Sequence, residues 1–307
     1  MKIKEKRAMD CANSIDRLKA IAARISDTYA DGIGINPVEG ENLPRRAEVI
    51  EVTEKLLELI FPGFDRHAGT PNIVALLAEI RSELSGQICR AIRRETGDHT
   101  CGVCSADRCE KSVFALFEKL PELREIAKED VAAAYAGDPA ATNYDEIILS
   151  YPGIKAITVQ RLAHVLYEQR IPLIPRMMTE HAHALTGIDI HPGATLGRGI
   201  FIDHGTGVVI GETAILGNNV RIYQGVTLGA GNFPKDACGM LIKGLKRHPT
   251  IGNNVTIYSG ASVLGDIIIG DNSVIGGNVW LTESLPAGTK ITARPPENQF
   301  KFAKDRK

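Results

Sequence analysis

Apolar residues recur along this chain at two different intervals, and the interval changes near Thr186-Gly187. Before that point, Ala47 to Ile60 repeats apolar residues at three- and four-residue spacing. Pro71 to Leu84 does the same behind Thr70 as a candidate N-cap, and Ile154 to Tyr167 and Leu173 to Leu185 follow. This spacing predicts helices with one buried face, so residues 1–186 read as an all-α region. Asp31 to Leu43 and Gly97 to Cys109 collect Gly, Pro and polar residues without periodicity and read as long loops or disorder.

After the boundary the interval is six. Aliphatic residues stand at 190, 196 and 202, at 210, 216, 222 and 228, and at 251, 257, 263, 269, 275 and 281. Glycine follows seven of them directly, and four places after a hit comes a small or β-branched residue such as Ala194, Val220, Val255 or Ala261. Hexapeptide periodicity predicts a parallel β-helix, three hexapeptides to a triangular coil, with the aliphatic column inside. The chain thus divides into a helical region 1–186, whose first hundred residues read as an extension, a solenoid 187–289 and a tail 290–307. The phase slips by two residues between Ile202 and Ile210 and by a longer excursion at 229–250. Slips are where loops leave a solenoid wall, so candidate chemistry belongs there.

Composition narrows the function. Lys and Arg number 36 against 37 Asp and Glu, a formal charge of -1 that provides no general attraction to nucleic acid or an anionic membrane. The charged start, MKIKEKRAMDCANS, is no signal peptide, and the one long stretch free of Asp, Glu, Lys and Arg, His248 to Gly265, is too polar to span a bilayer. A cytoplasmic protein is expected. Six cysteines in 307 residues do not form a disulfide framework. His99, Cys101, Cys104 and Cys109 leave two readings open, a soft-metal site or reduced thiols in a helical connection.

At the first slip, His204 is flanked by Asp203 and Gly205 and reads as a solvent-facing candidate general base. Asp189, fifteen residues earlier, is about one coil away and is the candidate carboxylate that orients the imidazole. A corner histidine bonded to backbone is the plainer alternative, and the one preferred for His191. At the second slip, Lys235, Lys243, Lys246 and Arg247 oppose only Asp236, a local cationic patch suited to a carboxylate or phosphate, or simply a solvated loop.

The strings DIHPGATLGRGIFIDHGTGVVIGET (189–213), QGVTLG (224–229) and RHPTI (247–251) resemble the serine O-acetyltransferase family, and Gly137 to Ala141, read as a helical segment, with its following helix is similar to it too. The resemblance covers roughly residues 110–290. It implies a left-handed β-helix, an exception to the right-handed crossover rule, assembled as a homotrimer or a dimer of trimers with acetyl-CoA between neighbouring walls. It implies transfer of acetyl to the L-serine hydroxyl to give O-acetylserine for cysteine synthesis, with L-cysteine as feedback inhibitor and no metal. Carried over by position, His204 is the base and Asp189 its partner. Asp138 and Asp203 hold the serine amine, Arg247 and His248 its carboxylate, and Gly229 and Ala230 line the thioester. Two departures stand out. The excursion at 229–250 is longer than the family's short glycine-rich loop, and the chain ends in charged residues rather than the isoleucine that bacterial members insert into cysteine synthase, so that complex is not expected. Competing readings are acetyl transfer to a sugar or other small hydroxyl, a γ-type carbonic anhydrase, and a non-catalytic wall. No H-x4-H pair supports the second, and sugars do not call for ion pairs of the Asp138, Arg247 and His248 kind.

Overall fold

The computed structural model describes residues 2–30, 43–64, 71–96 and 102–294, with side chains for 14–29, 43–64, 71–96 and 107–294. Residues 1–42 form one unit, containing helix α1 (Lys2–Asp27) and a 3-10 turn at Thr28–Ala30. Residues 43–307 form the second, which holds everything below.

Its helices are α2 (Arg46–Ile60), α3 (Ile73–Thr96), α4 (Gly102–Gly137), α5 (Tyr144–Ser150), α6 (Pro152–Glu168) and α7 (Ile174–Thr186). The apolar faces meet in one cluster: Val49, Val52 and Leu56 of α2, Ile80, Leu84 and Ile88 of α3, Val113 and Leu116 of α4, and Leu162 and Leu166 of α6. Each fully buried aliphatic side chain contributes roughly 1.5–3 kcal/mol. No helix among the described residues is long and apolar enough to cross a membrane.

Local details differ from the sequence reading. Helix α3 is capped by Asn72, whose Oδ1 accepts from the Ala75 N–H at 3.1 Å, and it runs well past Leu84. Thr70 lies outside the described residues. Residues 102–109, expected in a loop, open the long helix α4. There Cys109 is buried and forms a disulfide with Cys89 of α3, which corrects the reading of that cysteine as a reduced thiol or metal ligand. His99, Cys101 and the Cys104 side chain lie outside the described residues, so the remainder of that cluster falls there too. Gly137 to Ala141, expected to be helical, is where α4 stops. Pro139 disfavours helix at the residue before it, and Asp138 Oδ1 accepts from the Ala140 N–H at 2.8 Å in an Asx turn.

Helix α7 ends at Gly187 in the left-handed conformation, φ 71°, and the chain then enters the solenoid. The strands are β1 (Asp189–Ile190), β2 (Thr195–Leu196), β3 (Phe201–Ile202), β4 (Val209–Ile210), β5 (Ile215–Leu216), β6 (Arg221–Ile222), β7 (Thr227–Gly229), β8 (Thr250–Ile251), β9 (Thr256–Ile257), β10 (Ser262–Leu264), β11 (Ile268–Ile269), β12 (Val274–Ile275), β13 (Trp280–Leu281) and β14 (Lys290–Ile291). All pairing between them is parallel, in three walls ordered β1-β4-β7-β10-β13, β2-β5-β8-β11 and β3-β6-β9-β12-β14. The period-six residues form the inner column, twelve buried and Leu196 partly so. Wall building continues past 289 into β14. At one corner Asn219, Asn254 and Asn272 adopt the left-handed backbone that Asn tolerates, and their amides bond coil to coil at 3.1 Å.

Helices and solenoid are locked by a buried polar joint. Arg161 of α6 makes two bonds to Asp130 of α4, at 2.9 and 3.0 Å, and also donates to the carbonyls of Leu196 and Gly197. Asp130 in turn accepts from the Ile200 N–H at 2.8 Å. This joint seats the end of α4, and hence Asp138, against the first coil.

Candidate active site

The site residues fall into two groups, one at each slip. The first stands at the corner between β3 and β4. Asn143 caps α5 by accepting from the Glu146 N–H, and the Glu146 carboxylate reaches back past the cap to accept from the Thr142 N–H and hydroxyl. Helix α5 is only seven residues long, so Tyr151 sits at the junction where Pro152 opens α6. There the Tyr151 hydroxyl donates to Asp138 Oδ2 at 2.5 Å. This bond, with that from the Ala140 N–H, holds the Asp138 carboxyl below its ordinary range, while the Tyr151 phenol is pushed up to about 12. His204 and Asp203 are electrostatic neighbours of the pair, His204 of Asp138 and Asp203 of Tyr151. His204 occupies a left-handed backbone position, φ 55°, unusual for a residue with a side chain. Its ring is 71% exposed, with Nδ1 3.9 Å from Asp203 Oδ1.

Asp189 is not bonded to His204. Its ionic partner is Arg176 of α7, at 3.4 Å, and the same guanidinium binds Glu180. Glu180, His183 and Asp189 have ligand atoms close enough for a cation, but Arg176 already supplies positive charge to two of them.

The second group forms where the long excursion rejoins the wall. His248 is buried, and its Nδ1 accepts from the Thr213 N–H at 3.1 Å and from the Thr213 hydroxyl at 2.8 Å. The hydroxyl also accepts from the N–H groups of Arg247 and His248, so one side chain ties the loop end down. Because Nδ1 accepts, the ring proton belongs on Nε2. Burial, and then the neighbouring Arg247 charge, lower the His248 pKa to about 4. The ring lies over Gly211, where a Cβ would come within 2.1 Å of His248 Cδ2, so only glycine fits. Arg247 donates to Glu212 at 2.5 Å, and Tyr167 of α6 donates to the other Glu212 oxygen at 2.8 Å. Against the upward push of burial, those two bonds keep the Glu212 carboxyl below its usual range. His191 accepts from the Gly193 N–H and stands edge-on to Tyr167, in the structural role expected of it.

Gly229 ends β7, paired with Leu264, and Ala230 begins the excursion. That loop folds as a small hairpin bridged at Lys235 and Leu241. With Glu212 and Arg247 it encloses a cavity of about 330 Å³ lined also by Phe233, Ile242 and Lys243. Tyr151, Tyr167, Glu212 and Thr213 carry roles that spacing alone did not assign. The Glu-Thr pair immediately after Gly211 and the Tyr-Pro junction between two helices are the signals they left.

A hexapeptide wall with an exposed histidine among carboxylates at one slip and a cationic loop at the next defines the class of hexapeptide-repeat acyltransferases. The profile of the family described as Bacterial transferase hexapeptide (six repeats) matches residues 248–283. The plasmid-encoded serine acetyltransferase of Synechococcus elongatus is 46% identical over 264 residues, covering 81% of this chain and 82% of that one. Serine acetyltransferase 1 of Entamoeba histolytica, solved in complex with L-cysteine, superposes with a TM-score of 0.70 at 40% identity, covering 79% of this chain and 86% of that one. The soybean enzyme, solved with serine, gives 0.54 at 29% identity, covering 81% and 97%. The chain belongs to the serine acetyltransferase family, and the solenoid is a left-handed parallel β-helix.

Proposed function

We propose that the chain transfers acetyl from acetyl-CoA to the hydroxyl of L-serine, giving O-acetyl-L-serine and free CoA, with the acceptor bound at the His204 corner. One observation carries this reading: an exposed imidazole stands beside two carboxylates, Asp138 and Asp203, the first fixed and kept ionised by Tyr151. Carboxylates beside a base suit an acceptor that bears an ammonium group. His204 takes the hydroxyl proton as the serine oxygen attacks the thioester carbon. The carbon–sulfur bond then breaks, and the imidazolium returns the proton to the departing thiolate. Gly229 and Ala230 line the thioester, where a backbone N–H opposes the developing oxyanion. Asp189, on the adjoining strand, is the orienting carboxylate once His204 turns toward it.

Arg247 and His248 receive the acceptor carboxylate in this reading. His248 presents its Nε2 proton as a neutral donor, and Arg247 is drawn from Glu212 toward the substrate. The two groups serve one acceptor across neighbouring subunits of a trimer or a dimer of trimers in the cytoplasm. L-cysteine has the same amino and carboxylate groups, so it is a competitive inhibitor, in keeping with the Entamoeba relative solved with L-cysteine. No metal takes part. The test is thiol release from acetyl-CoA with L-serine compared with sugars. Release with sugars and none with serine overturns the reading.

A further inference from the structure

The outer face of the wall that carries Gly229 is a column in strict register: Val209 of β4 pairs with Thr227 of β7, Thr227 with Ser262 of β10, and Ser262 with Trp280 of β13. Thr227 and Ser262 are small, so they leave a shallow track that ends against an indole. Trp280 is the only tryptophan in the chain and is 72% exposed. An indole left in water forfeits the burial that ordinarily justifies so large an apolar side chain, so a ligand that covers it is the natural counterpart.

The surroundings say which ligand. Parallel strands are spaced about 4.8 Å apart, so Trp280 lies roughly 10 Å along the wall from Gly229 and roughly 14 Å from β4, which follows the His204 corner. The excursion loop leaves the same wall immediately after Gly229. Its Lys246 is engaged by Asp266 and its Arg247 by Glu212, whereas Lys235 and Lys243 have no acidic partner among the described residues. Track, free cations and flat aromatic ring together match an acyl donor with a thin arm, phosphates and a purine. We infer that Trp280 is the positioning residue that stacks the adenine of acetyl-CoA, with the pantetheine arm along Thr227 and Ser262 and the phosphates toward Lys235 and Lys243. The inference rests on the proposed reading that the thioester sits at Gly229.

Two measurements test it. In the wild type, emission from the sole tryptophan should change saturably on titration with CoA and stay unchanged with pantetheine. In steady state, acetyl-CoA and acetyl-pantetheine are compared as donors to serine. Trp280→Ala should lower the preference for acetyl-CoA in kcat/KM about tenfold, through KM rather than kcat, and Trp280→Phe should restore most of it. An unchanged preference, an equal loss with both donors, or smaller assemblies from Trp280→Ala would overturn the inference, the last by making the indole an assembly residue. Failure of the wild type to acetylate serine from acetyl-CoA is a separate result that overturns the proposed function itself.

Discussion

Two histidines, His204 and His248, sit at the two phase slips of one solenoid and are made into opposites by their surroundings. His204 is solvent-facing on a left-handed turn, with carboxylates for neighbours. His248 is buried under a threonine that occupies its Nδ1, its pKa lowered to about 4. The first stands open to solvent and to an incoming acceptor, and the second is held neutral with its remaining proton at Nε2. The same side chain at two breaks in a repeat is therefore suited to different chemistry. Exposure and the partner of one ring nitrogen decide which.

The largest effect that could break this comparison is on turnover. His204→Ala should reduce kcat at least about a hundredfold, the lower range for a positioned base, with circular dichroism and assembly unchanged because the side chain is 71% exposed. Asp189→Asn should cost less, since it removes an orienting group and leaves the base. Near-normal kcat in a folded His204→Ala protein would remove His204 from the mechanism.

The second effect concerns stability and belongs to His248. Its pKa is lowered on folding, from 6.5 to about 4, so between these values the unfolded chain binds a proton that the native chain refuses. Its contribution is therefore complete above about pH 6.5 and is lost as pH falls toward 4, on the order of 3 kcal/mol in all. His191, whose pKa burial also lowers, adds to the slope in the same direction. Denaturant midpoints measured from pH 7.5 to 4.5 should fall steeply in the wild type and less steeply in His248→Asn. Parallel curves would mean that His248 is not held neutral.

Arg247 gives a smaller effect. If it grips the acceptor carboxylate, serinamide should be poorer than serine by about ten- to a hundredfold in kcat/KM, the range for a hydrogen bond to a charged group, and Arg247→Ala should shrink that preference. Equal acetylation of both acceptors by the wild type would leave Arg247 as a purely structural partner of Glu212 and favour a hydroxyl acceptor without charge.

The solenoid was the most legible part of the molecule because a repeat constrains every coil alike. All thirteen period-six positions point inward, and both slips are where the candidate chemistry stands. The helical region was read from local spacing, which located α2, α6 and α7 closely but missed the start of α4. Its first turns hold Cys109 against Cys89 on another helix, and no local pattern announces a pairing of that kind. In the site, residues inside the family strings were found by position. Tyr151 and Tyr167 were not, because they reach Asp138 and Glu212 from a helix junction and a helix 13 and 45 residues away in sequence. Asp189 shows the converse: fifteen residues suggested a meeting with His204, and a nearer arginine on α7 holds the carboxylate instead.

The smallest effect bears on the carboxylates that set His204 apart from His248. Tyr151 donates to Asp138, so in the proposed reaction it acts by keeping one carboxylate ionised and aimed. Tyr151→Phe removes a charge-assisted bond and leaves the ring, the helix junction and the Ala140 N–H in place. The loss should appear as a rise of about tenfold or less in the KM for serine, with kcat nearly unchanged. It should grow as pH falls, because an Asp138 freed of its phenol partner protonates at higher pH and loses its hold on the ammonium group. Serine KM measured at several pH values for both proteins reads this directly. A pH-independent ratio would show that the tyrosine supports the helix junction alone, and that Asp138 owes its charge to the Ala140 bond and to His204.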